Sequence, residues 1–98
     1  MNQKEKIHIE FFHSPTCPYC PAARMMLHEI LEKYPRVCEV EEIDAWSELG
    51  EPRAAKYGIQ LVPSIVIDGE KRVEGIPNRK LMMQVIAEAV EGRDRASP

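Results

Sequence analysis

Phe11-Phe12-His13-Ser14-Pro15-Thr16-Cys17-Pro18-Tyr19-Cys20-Pro21 is the stretch on which the fold of this chain turns. Upstream, Ile7, Ile9, Phe11 and Phe12 read as a short strand, apolar at alternate positions and ending in two aromatics. Downstream, Ala23, Met26, Leu27, Ile30, Leu31 and Tyr34 recur at helical spacing. The two cysteines therefore lie where a strand turns into a helix, with Cys17 near the helix N-terminus. Unpaired N–H groups and the positive end of the helix dipole stabilise a thiolate there and lower its pKa. A thiolate is the attacking species in thiol–disulfide exchange, and Cys20 stands where it can resolve the mixed disulfide that forms. Two other readings stay open. One C-x-x-C can be half of a zinc site, although Cys38, His8, His13 and His28 form no second close pair of ligands. Two inert, buried thiols are the other.

Composition narrows the function classes. Ninety-eight residues, 44% hydrophobic and 30% charged, fit one small globular domain spanning 1–98. A net charge of −3 without a Lys/Arg cluster argues against nucleic acid as the main partner. The apolar runs are too short to span a bilayer, so no membrane role is expected. The polar start Met1–Lys6 leads directly into a strand and does not read as a signal peptide. Three cysteines, an odd number, fit a reducing cytoplasm better than a disulfide-stapled secreted module.

Along the chain, the first strand covers about Ile7 to Phe12 and the first helix about Pro18 to Tyr34. Pro18 suits the first helical position, whereas Pro21 deletes an early intrahelical donor and fits less well. The polar face of Arg24, His28, Glu29, Glu32 and Lys33 reads as solvated, and Pro35 closes the helix. Val37 to Asp44 reads as a second strand, parallel to the first across the helix, with Cys38 packed on it as an inert side chain. A second helix is expected over Pro52 to Tyr57, reaching back at most to Ser47 and stopping at Gly58. Leu61 to Ile67, a turn at Asp68-Gly69, and Lys71 to Glu74 form a hairpin, with Pro63 opening its first strand. Asn78 is the expected N-cap of a last helix whose apolar face is Leu81, Met82, Val85, Ile86, Ala89 and Val90. Gly92 is expected to end it and residues 93–98 to fray. The Met25-Met26 and Met82-Met83 pairs read as core and rim.

The order β-α-β-α-β-β-α, with C-x-x-C after the first strand and Val62-Pro63 about forty-five residues later, resembles the thioredoxin fold over about residues 5–92. That resemblance implies an α/β domain, a four-stranded mixed sheet flanked by helices. It also implies that Pro63 is a cis-proline beside the cysteines, and that Val62 offers backbone hydrogen bonds to a docked peptide. Pro18 and Tyr19 between the cysteines match glutaredoxins, and the wider string is most similar to small archaeal thioredoxins, often termed glutaredoxin-like. Glutaredoxins carry a Gly-Gly and acidic pattern where this chain reads Gly75-Ile76-Pro77-Asn78-Arg79. Ordinary thioredoxins carry a buried Asp on the first strand, where this chain offers Phe11 and Phe12. Glu10 or His13 would have to substitute as proton acceptor, and His13 reads first as a surface histidine.

The resemblance thus implies a cytoplasmic, monomeric thiol–disulfide oxidoreductase acting on disulfide-containing target proteins. Cys17 attacks and Cys20 resolves, while Pro18, Tyr19, Val62 and Pro63 form the docking ledge. It implies no cofactor and no metal, because both electrons reside in the thiols, and a thioredoxin reductase or similar dithiol donor as partner. A glutathione-dependent glutaredoxin is the alternative within the class. A non-catalytic binding module or a zinc-holding regulator is the alternative outside it.

Overall fold

A computed structural model describes residues 6–96, with side chains through residue 92. The elements run β1 (Ile7–His13), α1 (Cys20–Leu31), β2 (Cys38–Asp44), α2 (Glu51–Lys56), β3 (Ser64–Ile67), β4 (Glu70–Glu74) and α3 (Arg79–Ala96). This is the expected order. The sheet runs β2-β1-β3-β4, with β1 parallel to β2 and the other neighbours antiparallel. The fold is a thioredoxin fold.

β1 is buried on both faces, which is why it reads as a nearly continuous apolar run. Ile7, Ile9 and Phe11 pack under α1 and α3, against Ala23, Leu27, Ile30, Met82, Val85 and Ile86. Phe12 turns to the other face and packs with Ile43, Ala54, Ile59 and Val66, beneath α2. The methionine pairs divide as expected: Met82 is buried and Met26 packs on the core, while Met25 and Met83 are exposed. Among the described residues, no helix is long and apolar enough to cross a membrane.

Four boundaries differ most from the sequence reading. α1 begins at Cys20, two residues later than expected, with Tyr19 as N-cap. Pro21 then falls in the first turn, where a missing N–H removes no intrahelical bond. At its other end the helix tightens: Lys33 and Tyr34 N–H donate three residues back, to Ile30 and Leu31. Pro35 bars helical geometry for Tyr34, and Arg36 takes a left-handed φ of 67°. The first hairpin strand begins at Ser64 instead of Leu61, because residues 61–63 bend before pairing starts. α3 passes through Gly92 to Ala96, since one glycine costs a helix only about 1 kcal/mol. The other expectations hold closely. Asp68 and Gly69 both have positive φ, the geometry of a tight two-residue hairpin turn. Asn78 Oδ1 accepts the Leu81 N–H and caps α3.

Candidate active site at one end of the sheet

Because β1 and β2 run in parallel while β3 and β4 alternate, one edge of the sheet collects four chain segments. These are the segments after β1, after β2, before β3 and after β4. The loop after β1 carries the cysteines. Cys17 N–H donates to Ser14 carbonyl and Cys20 N–H to Cys17 carbonyl, so residues 14–20 form two successive turns ahead of α1. The sulfurs of Cys17 and Cys20 are joined in a disulfide, with Cα atoms 5.5 Å apart. Cys20, the first residue of α1, is 2% exposed, whereas Cys17 is only half-buried. Of the two cysteines, only Cys17 is partly exposed.

Phe12 pairs with Ser64 across β1 and β3, so the next positions outward, His13 and Pro63, lie at the same edge. The Val62–Pro63 peptide is cis, as the resemblance implied. Pro63 is buried and its carbonyl accepts the Gly75 N–H, while Val62 is half-buried. Among the described residues, neither the N–H nor the carbonyl of Val62 bonds within the protein. Pro18 and Tyr19 are exposed beside the disulfide.

The approach to Val62 is tied down by Glu74, which sequence reasoning did not single out. Its Oε2 accepts the N–H groups of Gln60 and Leu61 at 2.6 and 2.9 Å, and its Oε1 accepts from Lys71 Nζ at 2.8 Å. The Lys71 hydrogen bond first, and the two N–H groups after it, hold the Glu74 carboxyl below the usual range. A depressed folded pKa contributes stability that is present above the unfolded value, about 4.3, and is lost as pH falls through the folded one. Protection of the Gln60 and Leu61 amides should therefore fall in acid. In Glu74→Gln it should be lower at neutral pH, with a cost of about 1 kcal/mol, since charge-assisted bonds at a partly exposed group are discounted. Hydrogen exchange at these two amides is the measurement. Equal protection in variant and wild type from neutral to acid pH would contradict it.

His13 is half-buried and not a freely solvated surface histidine, because its ring stacks on Phe11 at 5.9 Å. Glu10 is 3% exposed and lies on the α2 face, away from α1. Its carboxylate accepts from Arg53 and from the Tyr57 hydroxyl. Arg53 also donates to both oxygens of Glu41, on the neighbouring strand. A buried acid in an apolar strand was the available signal for such a partner, but its identity, some forty residues on, was not legible. Arg24 and His28 are not merely solvated either: both bond Glu42. Cys38 begins β2 opposite Ile7, the whole strand away from the cysteine end, about 20 Å at strand rise.

Among the described residues, the one group of three close enough to share an ion is His8, Glu10 and Glu41, whose ligand atoms lie within 4.8 Å of one another. The Arg53 guanidinium already bridges its two carboxylates, so a dication there would face a fixed positive charge.

The family described as thioredoxin domain matches residues 5–87. The chain belongs to the thioredoxin family. A thioredoxin of Methanocaldococcus jannaschii is 38% identical over 81 residues, covering 83% of this chain and 93% of that one. A probable thioredoxin of Methanothermobacter thermautotrophicus is 36% identical over 85 residues, 87% of this chain and 98% of that one. Among solved structures, a protein disulfide oxidoreductase from Aeropyrum pernix superposes with a TM-score of 0.70 at 32% identity. It covers 92% of this chain and 40% of that longer protein. A thioredoxin mutant from Halobacterium salinarum, at 22% identity and TM-score 0.67 over 85% of this chain and 74% of that one, shares the fold. The protein is a thiol–disulfide oxidoreductase, and its Cys17 and Cys20 are joined in a disulfide.

Proposed function

We propose that the protein reduces disulfides of target proteins, with Cys17 attacking and Cys20 resolving. The observation that carries the assignment is the burial asymmetry of the disulfide: Cys17 is reachable and Cys20 is covered. In the dithiol form, the Cys17 thiolate attacks one target sulfur, forming a mixed disulfide and releasing the other target sulfur as thiolate. Cys20 then loses its proton and attacks the Cys17 sulfur. The Cys17–Cys20 disulfide closes, the target's second thiolate leaves, and two electrons have passed from protein to target. No cofactor takes part in this exchange.

Pro18, Tyr19, Val62 and Pro63 form the ledge on which the target lies. The unbonded N–H and carbonyl of Val62 suit an extended target strand, which pairs through its backbone and leaves side-chain identity free.

A dithiol donor such as a flavoprotein thioredoxin reductase returns the electrons. Glutathione needs placed groups for its charged ends. Here Gly75-Ile76-Pro77-Asn78-Arg79 offers no carboxylate for the ligand's ammonium, the Asn78 side chain caps α3, and Arg79 already pairs with Glu29 at 2.7 Å. The reaction belongs to a reducing cytoplasm, and the protein works as a monomer. Steady-state reduction of a model protein disulfide should be fast with a thioredoxin reductase and slow with glutathione in the millimolar range. Efficient, saturable turnover with glutathione would make the chain a glutaredoxin instead.

A further inference from the structure

Among the described residues, most of the large apolar side chains left in water stand at the cysteine end. Tyr19, Trp46, Leu49, Leu61 and Ile76 are all exposed, and all lie on segments at that one sheet edge. Tyr19 and Leu61 belong to the ledge already described. Trp46 and Leu49 do not: they sit on the loop after β2, 50% and 87% exposed. β2 ends beside β1, with Asp44 opposite His13, and the Ala45 N–H donates to the His13 carbonyl at 2.8 Å. The loop therefore leaves the sheet next to the turns that carry Cys17.

Its backbone is built and not slack. Asp44 Oδ1 accepts the Trp46 N–H, the Ser47 hydroxyl donates to the Asp44 carbonyl, and Ser47 Oγ accepts the Gly50 N–H. Glu51 N–H donates to the Ser47 carbonyl. Gly50 is buried against the strand end so closely that a Cβ there would overlap the Asp44 carbonyl oxygen. Ala45 is fully buried beneath. A loop pinned at both ends that still presents a tryptophan and a leucine outward is pre-organised for contact, which lowers the ordering cost of binding. Between and after the two apolar residues come Glu48 and Glu51. Both are exposed, and neither has an ion-pair partner among the described residues.

We infer that Trp46 and Leu49 are a second docking site for the target, selecting proteins that present an apolar side chain flanked by basic residues next to their disulfide. This rests on the oxidoreductase reading above and adds a choice of substrate to it. The apolar pair supplies contact area, aromatic residues being the common anchors of interfaces. The two carboxylates favour Lys or Arg beside the anchor and oppose acidic flanks.

The test uses the full chain, reduced beforehand and freed of small thiols so that neither the natural donor nor a free reductant enters, and reads single turnovers at varied substrate concentration. Three substrates are compared: a disulfide peptide with Leu between two Arg, the same peptide with Glu in place of Arg, and 5,5′-dithiobis(2-nitrobenzoate). Wild type should prefer the basic peptide. Trp46→Ala with Leu49→Ser should raise the half-saturating concentration of that peptide about ten-fold, the scale of one anchor residue, with the limiting rate and the small disulfide unchanged. Glu48→Lys with Glu51→Lys should reverse the preference between peptides. An unchanged half-saturating concentration in the first variant, or an equal loss on the small disulfide, overturns the inference and leaves the oxidoreductase reading standing. A wild type that reduces none of the three overturns both.

Discussion

Cys17→Ser should abolish disulfide reduction, whereas Cys20→Ser should stall with the target covalently attached through Cys17. The two substitutions remove the same atom, a sulfur, and differ only in which step loses it. Without Cys17 there is no accessible thiolate, because Cys20 is almost fully covered at the start of α1. Without Cys20 the first exchange proceeds, but the second has no intramolecular thiol to attack the Cys17 sulfur, so the mixed disulfide persists. Release must then wait for an external thiol, which lacks the advantage of being held within reach. Mass spectrometry under non-reducing conditions reads the outcome directly. Trapping in Cys17→Ser and none in Cys20→Ser would reverse the roles.

In the proposed mechanism Cys17, just ahead of α1, needs no separate base, because the positive end of a helix favours a thiolate. Residues 14–20 wind in two turns, with Cys17 N–H donating to the Ser14 carbonyl and Cys20 N–H to the Cys17 carbonyl, and a charge there meets the positive end of α1. Pro21 removes an N–H from the first turn at no cost in helix bonds. The local rule that Pro21 appeared to break as a residue inside a helix is satisfied once the helix starts at Cys20.

Local signals carried the fold: the alternation in β1, the helical spacing after Cys20, Pro35 as a stop and Asp68-Gly69 as a turn were each legible because each acts within a few residues. The cysteines and Val62–Pro63 were legible as a pair only through resemblance, since nothing in spacing alone brings residue 63 to the edge where β1 ends. What stayed hidden is long-range polar chemistry. Glu74 holding Gln60 and Leu61, and Arg53 joining Glu10 to Glu41, depend on which strands become neighbours. An exposed-looking glutamate carries no mark of its partner. Boundaries shifted where tertiary context overrode a local preference, as at Gly92 inside α3.

The Arg53 contact leads to the largest stability effect expected in this protein. Glu10 is 3% exposed, and on the adjacent strand Glu41 lies opposite it in the parallel register. Two carboxylates side by side repel, and Arg53 lies between them, donating to Glu10 and to both oxygens of Glu41. The Arg53 hydrogen bond is the main reason that the Glu41 carboxyl is held below its usual range. The hydrogen bond to Glu10, and burial after it, push the Tyr57 phenol upward. Arg53→Met keeps the apolar stem but leaves a buried carboxylate beside an unopposed neighbour. Breaking a buried pair in this way costs about 3–5 kcal/mol, and partial water access lowers that to about 2–3, since the Arg53 side chain is 38% exposed. Removing both charges should cost far less, because no uncompensated ion remains. Glu10→Gln with Arg53→Met should thus be more stable than Arg53→Met alone, with a coupling of about 2 kcal/mol in urea unfolding. Values that add to within about 0.5 kcal/mol would mean that the two groups act independently. The same variants decide whether Glu10 replaces the buried acid of ordinary thioredoxins. Both of its oxygens are bonded, and it faces α2, on the side of the sheet away from α1 and Cys20. Glu10→Gln should therefore leave the pH profile of disulfide reduction unchanged, its loss appearing in stability alone.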